Sequence, residues 1–208
     1  MILNTINVSK YTLTLALGAI CVVGDKIVAV NNDRLILKAV SDNITHGFIS
    51  SISFLIVLIQ NRIHVSTIEQ YFLVAMSFII SCLIDVDHFV MAKSWRLSNA
   101  IKLTSRPFMH CSTIPCVILV SAFTLTKLGV INFRSFLWSL MIFNAFSSHH
   151  IRDSTRRGLW FLGYGHTRPL PNLAYIFGTM TIPWILSRLM EYMAVTLHLP
   201  KYNRIVDV

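Results

Sequence analysis

Charge is scarce in this chain. Only 13% of its 208 residues are Asp, Glu, Lys or Arg, about half of the roughly 25% found in soluble domains. With 54% hydrophobic residues and a mean hydropathy of +0.63, that shortage excludes an ordinary water-soluble globular domain. Acidic groups are rarer than basic ones, nine Asp and Glu against eighteen Lys and Arg. Paired cysteine spacing is missing as well. Cys21, Cys82, Cys111 and Cys116 form no CxxC and lie mostly within or beside apolar segments. That argues against a disulfide framework and reads as buried thiols, with Cys111 set apart because it adjoins His110. No repeat, low-complexity tract or Gly/Ser linker divides the chain, so residues 1–208 read as one domain. The basic residues form no motif, which speaks against a nucleic-acid partner.

What the chain has is a series of apolar segments: Tyr11–Val23, Gly47–Ile59, Ile68–Ile84, Ile114–Ile131, Phe133–Ser148 and Leu173–Leu189. Several fall short of the ~20 residues of a perpendicular span, a gap that tilt and snorkelling basic side chains fill. A lone spanning segment satisfies its backbone in lipid only as a helix. The expected fold is therefore all-α, a polytopic transmembrane helical bundle of five to six helices. The first segment is the variable one. It reaches Val30 only by including Asp25 and Lys26, and its length and Lys10 also fit a signal peptide with a poor cleavage pattern.

With six spans, the loops around residues 24–43, 85–113 and 149–172 share one side. The termini, loop 60–67 and the turn near Asn132 share the other. Eleven of the eighteen basic residues fall on the first side: Lys26, Arg34, Lys38, Lys93, Arg96, Lys102, Arg106, Arg152, Arg156, Arg157 and Arg168. The bias points that side to the cytoplasm, with the bilayer and its anionic head groups as partners. Within 85–113, Trp95, Leu97, Ile101 and Leu103 alternate with Lys93, Arg96 and Lys102, as in an interfacial amphipathic segment. Trp160, Phe161 and Tyr164 read as interface anchors of the later loop. The C-terminal stretch 203–208 shows no retention or lipidation signal, so the organelle stays open.

Four groups of metal-ligand residues lie on that same side: Asp42 with His46, Asp85 with Asp87 and His88, His110 four residues after Arg106, and His149, His150 and Asp153. Ionisable groups beside a bilayer are costly and ask for a reason. Asp42 and His46 share a helix face, as do His149 and Asp153. Asp85 and Asp87 reach one site only if their helix ends or unwinds there, because two helical steps turn about 200°. Mixed imidazole and carboxylate donors suit zinc, manganese or iron better than calcium. Taken singly, each group also reads as a solvated helix end or an arginine partner. His64, His166 and His198 read as interface histidines.

Several of these strings resemble the transmembrane protein 267 family: Ser41-Asp42-Asn43 with His46-Gly47, Asp85-Val86-Asp87-His88-Phe89, and Arg106-Pro107 with His110-Cys111-Ser112-Thr113. So do Ser148-His149-His150-Ile151-Arg152-Asp153, Arg156-Arg157-Gly158-Leu159-Trp160 and Pro169-Leu170-Pro171. The likeness covers roughly residues 41–172 and implies no function. A more distant likeness is to YdjM-type membrane proteins, described as predicted metal-dependent hydrolases. Their pattern falls on His46, Asp85, Asp87, Arg106, His110, His149 and Asp153. This chain departs where those relatives often carry His, at Ser105, and Ser, at Cys111.

Two functional expectations follow. One is a metal-dependent hydrolase of a lipid or phosphoester at the cytoplasmic face, holding zinc or manganese. Its ligand pool is Asp42, His46, Asp85, Asp87, His88, His110, His149, His150 and Asp153, with Asp87 as general base and Arg106 neutralising the substrate's anion. The other is a non-enzymatic scaffold, or an ion- or solute-handling protein, whose polar clusters lock helices together.

Overall fold

The computed structural model describes residues 10–61 and 65–199. The elements are α1 (Lys10–Val30), α2 (Leu35–Asn61), α3 (Thr67–Leu83), α4 (Val86–Met91), α5 (Leu97–Ala100), α6 (Thr113–Lys127), α7 (Phe133–Arg157) and α8 (Asn172–Thr196). A two-stranded hairpin, β1 (Trp160–Phe161) with β2 (Gly165–His166), lies between α7 and α8. Residues 62–64 of loop 60–67, His64 among them, and the stretch 203–208 lie outside the described residues.

Each expected apolar segment lies on one of the six long helices, so the all-α polytopic bundle holds. The number of spans is lower than five to six. Among the described residues, four stretches are long and apolar enough to cross a membrane: Lys10–Val30, Leu35–Asn61, Thr67–Met91 and Asn172–Thr196. The other two fail for different reasons. Thr113–Lys127 has only fifteen residues, and α7 carries Asn144, His149, His150, Arg152 and Asp153 along its length.

The expected loop 24–43 is a second departure. Helix continues through Val30 and resumes at Leu35, so only four residues connect α1 to α2. Charges inside these helices are tolerated because they are paired: Asp25 meets Arg152 at 3.0 Å, and Asp42 meets the same guanidinium at 2.6 Å. At ~1.5 Å per residue, the 27 residues of α2 span about 40 Å, more than the ~30 Å of a hydrocarbon core.

Helix α2 is the axis of the bundle, packing against α1, α3, α7 and α8. Within its apolar window 61% of residues are buried, against 28% for α1 and 22% for α3–α4. Lipid therefore faces α1 and α3, whose outer surfaces show Leu15, Phe72 and Ile79. The seam of α2 with α3 and α7 is lined by small polar groups instead of bulky apolar ones. Asn144 donates to Ser50 O at 2.9 Å and accepts from Ser53 Oγ at 2.7 Å. The Ser50 and Ser77 hydroxyls share a hydrogen bond of 2.7 Å. Such bonds register membrane helices at about 0.6–2 kcal/mol each. Gly47 permits the closest approach, since a Cβ there would sit 2.6 Å from the Phe78 ring.

The ends are set locally. Ser66 caps α3 by accepting from Glu69 N at 3.2 Å, and Asn132 caps α7 by accepting from Ser135 N at 2.9 Å, each satisfying an orphan donor of the first turn. Gly158 ends α7 at φ 72°, a left-handed conformation open to glycine at little steric cost.

Candidate metal centre

The four groups singled out in the sequence do meet at one end of the bundle, where the 31–34, 84–112 and 158–171 connections gather. Asp85 sits where helix is interrupted between Leu83 and Val86, and its side chain makes no capping hydrogen bond to the next turn. That break brings Asp85 and Asp87 toward the same region, which an uninterrupted helix would forbid. His110 rides on a 3-10 turn, Phe108–His110, opened by Pro107 at φ −65°. His149 and Asp153 stand one turn apart on α7, and His46 faces them from α2.

At the centre are four donor atoms. His110 Nε2 lies 3.3 Å from His149 Nε2, 3.5 Å from Asp85 Oδ1 and 3.4 Å from Asp153 Oδ2. His149 Nε2 lies 3.5 Å from each of the same two oxygens. These five edges are nearly equal. A regular tetrahedron with edges of ~3.4 Å has its centre about 2.1 Å from every corner, the distance at which zinc binds imidazole nitrogen and carboxylate oxygen. All four residues offer donor atoms within 4.8 Å of one another, so the set suits a four-coordinate divalent cation in chemistry and approximate size.

The rings are aimed by their other nitrogens. His149 Nδ1–H donates to Ser81 O at 3.0 Å, so its Nε2 presents a lone pair to the centre. His110 Nδ1 faces Asp87 Oδ2 at 3.4 Å, and the same oxygen accepts from Met109 N at 2.8 Å. A carboxylate behind a ligating imidazole is the usual outer partner of such sites. His46 stacks on His149 with ring centroids 3.8 Å apart and puts Nε2 3.4 Å from Asp153 Oδ1. Its Nδ1 has no hydrogen-bond partner among the described residues.

The remaining members of the ligand pool are engaged elsewhere. His150 Nε2–H donates to Met109 O at 2.9 Å, which leaves Nδ1 to accept from Ser112 Oγ at 3.3 Å. Both nitrogens therefore hold the turn that carries His110. Asp42 receives Arg152 at 2.6 Å and Arg156 at 2.7 Å. His88 Nδ1 lies 3.1 Å from Asp87 Oδ1, and Asp87, His88 and His110 form a second close group. Arg106 makes no hydrogen bond or salt bridge among the described residues. It lines a cavity of about 630 Å³ that also reaches Asp85, His88, His110 and Asp153.

The electrostatics favour a cation. Burial works against a proton on His110, yet Asp153, Asp85 and Asp87 outweigh it and push the imidazole up to about 11. A group of carboxylates that raises one imidazole this far holds positive charge in whatever form it arrives.

Several structural partners escaped the sequence reading. Arg152, only 3% exposed, joins Asp25 of α1 to Asp42 of α2, and the Tyr175 hydroxyl of α8 donates to Asp25. The spacing of Arg152 directly before Asp153 was the available signal, since a basic residue inside an apolar bundle needs a counter-ion. Ser81 and Ser112 gave no signal, because serine is common in membrane helices. The hairpin anchors expected at an interface have a further use: Trp160 O accepts from Ser112 N at 2.7 Å, and Leu162 N donates to Thr113 Oγ1 at 2.9 Å. Tyr164 alone of the three is widely exposed, at 79%.

Compared with known proteins, the chain is 36% identical to transmembrane protein 267 of Mus musculus over 185 residues, 85% of this chain and 81% of the relative. It is 34% identical to the Bos taurus protein of that name over 92% of this chain and 87% of the relative. Against the Xenopus laevis protein the identity is 35%, over 91% and 86%. No family model and no solved structure matches.

Proposed function

The chain belongs to the transmembrane protein 267 family, and we propose that this integral membrane protein is a metal-dependent hydrolase of a lipid or phosphoester. The observation that carries the reading is the cluster of His110, His149, Asp85 and Asp153 donor atoms, five of whose six separations are 3.3–3.5 Å. Its position beside a cavity large enough for a substrate supports the same reading. So does the resemblance to YdjM-type predicted hydrolases, whose pattern includes those four residues.

From the ligand pool we assign Asp85, His110, His149 and Asp153 to the metal. His46 stands beside Asp153 as its orienting partner, and Asp87 orients His110. His150 and Asp42 are structural. Zinc or manganese held there would supply Lewis acidity and, by taking a water in addition to the four protein donors, would acidify that water to near ~7.

The protein's own part is proton handling and charge recognition. His88 lines the cavity, with its Nδ1 3.1 Å from Asp87 Oδ1. The pair is an acid–base relay in which His88 takes the proton from the attacking water and Asp87 steadies the resulting imidazolium. The base role expected of Asp87 itself is thereby moved to His88, with Asp87 in support. Arg106 balances the anionic group of the substrate. The excess of basic residues at this end supports a cytoplasm-facing site, at the level of anionic head groups.

The test is purification of the full chain in mild detergent, followed by metal analysis and hydrolysis assays with zinc or manganese. One bound metal is expected, lost in His110→Gln and His149→Gln. Metal is expected to remain in His88→Gln while hydrolysis falls by about 100-fold, as for loss of a general base. A wild-type protein that takes up no transition metal, or a His149→Gln variant that keeps it, overturns the assignment.

A further inference from the structure

The cavity beside the metal centre has two unlike walls. Its polar end is formed by Asp85, His110 and Asp153 together with Arg106, Arg156 and Arg157. Its flanks are apolar, with Ile36 and Val40 of the first turns of α2 on one side. Trp95 and Ile101, from the amphipathic segment after α4, also line it. All four, Ile36 at 70%, Val40 at 48%, Trp95 at 81% and Ile101 at 50%, are exposed. A lining of this kind suits a molecule with one charged end and one hydrocarbon end.

The charges show which sign the end carries. Asp42 is satisfied by Arg152 and Arg156. Asp85 and Asp153, the latter also 3.6 Å from Arg156, carry two negative charges of the kind a divalent metal balances. Arg106 and Arg157 are left, neither with a hydrogen bond or salt bridge among the described residues. Burial, with Arg157 adding repulsion, lowers the Arg106 guanidinium below its usual range against the pull of Asp153. Two unpaired guanidiniums near a carboxylate-held metal form a seat for a multiply charged oxyanion, and guanidinium matches phosphate by paired hydrogen bonds.

We infer that the occupant is a membrane lipid with a phosphate head group, its phosphate held between Arg106 and Arg157 and its chain lying along Ile36, Val40, Trp95 and Ile101. The assignment deepens the metal reading and rests on it for chemistry, though not for binding. Apolar flanks of this extent separate the lipid from a soluble phosphate, which would leave them wet. The unpaired arginines separate it from a neutral lipid.

Trp95 lies in the wall and reports occupancy. The zinc-treated full chain in detergent is titrated with dioctanoyl phosphatidate, inorganic phosphate and dioctanoylglycerol while tryptophan emission is followed. Saturable binding of the phosphatidate is expected, with the signal reduced in Trp95→Phe. Arg106→Gln and Arg157→Gln are each expected to weaken it by about tenfold, the loss of one charge-assisted contact. Ile101→Asp is expected to weaken the phosphatidate and leave inorganic phosphate unchanged. Equal affinity for dioctanoylglycerol, equal affinity for inorganic phosphate, or full binding by the Arg106→Gln/Arg157→Gln double variant overturns the inference. Bound zinc, measured separately, divides the two readings. Zinc retained without phosphatidate binding removes the lipid seat alone. Arginine-dependent phosphatidate binding without zinc removes the metal centre alone.

Discussion

The Nε2 atoms of His110 and His149 stand 3.3 Å apart although the residues are 39 positions apart in the chain. Two imidazole nitrogens at that separation share either a proton or a cation. His149 has already committed its Nδ1–H to Ser81 O, so its Nε2 lone pair is available for the second arrangement. Asp85 and Asp153 complete the donor set from two other directions.

Metal uptake should release a proton. With its imidazole pushed up to about 11, His110 is protonated at neutral pH in the metal-free protein, and a cation must displace that proton. His149 is raised as well, to about 9, so one to two protons leave and apparent affinity for zinc is expected to rise about 10- to 100-fold per pH unit through the neutral range. Calorimetric titration in two buffers of different ionisation enthalpy measures the proton directly; equal heats in both would refute it.

The same group sets the stability of the metal-free form. Its folded value lies above the 6.5 of an ordinary imidazole, so its contribution is full below that pH and is lost as pH rises toward 11. Thermal unfolding of metal-free protein in detergent should occur at lower temperature at pH 9 than at pH 6, and added zinc should remove much of the difference.

Asp87→Asn keeps the shape of the carboxylate but gives His110 a weaker partner. Outer partners of ligating histidines are worth 10- to 100-fold in affinity. Competition with a zinc chelator should show a loss of about that size, with one metal still bound at saturation.

Arg152→Met leaves the carboxylates of Asp25 and Asp42 short of a cation. Breaking a buried pair from one side costs about 3–5 kcal/mol. Adding Asp25→Asn and Asp42→Asn should recover part of the thermal stability, because the uncompensated charges go with the arginine.

Gly158→Ala is strained twice, by φ 72° and by a Cβ that would fall 2.0 Å from Thr167 O. The hairpin beyond it holds the His110 turn through Trp160 and Ser112. A loss of zinc affinity at a residue that touches no metal ligand is expected, measured by the same competition.

Much of the fold was legible because membrane burial is written locally. Runs such as Ile68–Ile84 have nowhere to go but lipid or a helical core, and a helix is the one way to satisfy their backbones. The Phe133–Ser148 run was misleading as a span because α7 spends its far half on the site. Asp25 and Lys26 hid the continuation of α1, since a charge inside a span makes sense only once Arg152 is seen opposite. Among site residues, the i,i+4 spacing of His149 and Asp153 was enough to put both on one face. His150 sits next to His149 with the same chemistry, and nothing in its spacing says that it turns to Met109 and Ser112 instead.

The sequence by itself determined a helical membrane protein with four groups of imidazoles and carboxylates toward one end, because hydropathy and helical period act over a few residues. Tertiary structure alone decided which of those groups converge. The break before Val86, the turn at Phe108–His110 and the pairing of Asp42 with two arginines all depend on contacts between distant segments. A donor's aim is fixed by what its other atoms are bonded to, and those partners lie elsewhere in the chain.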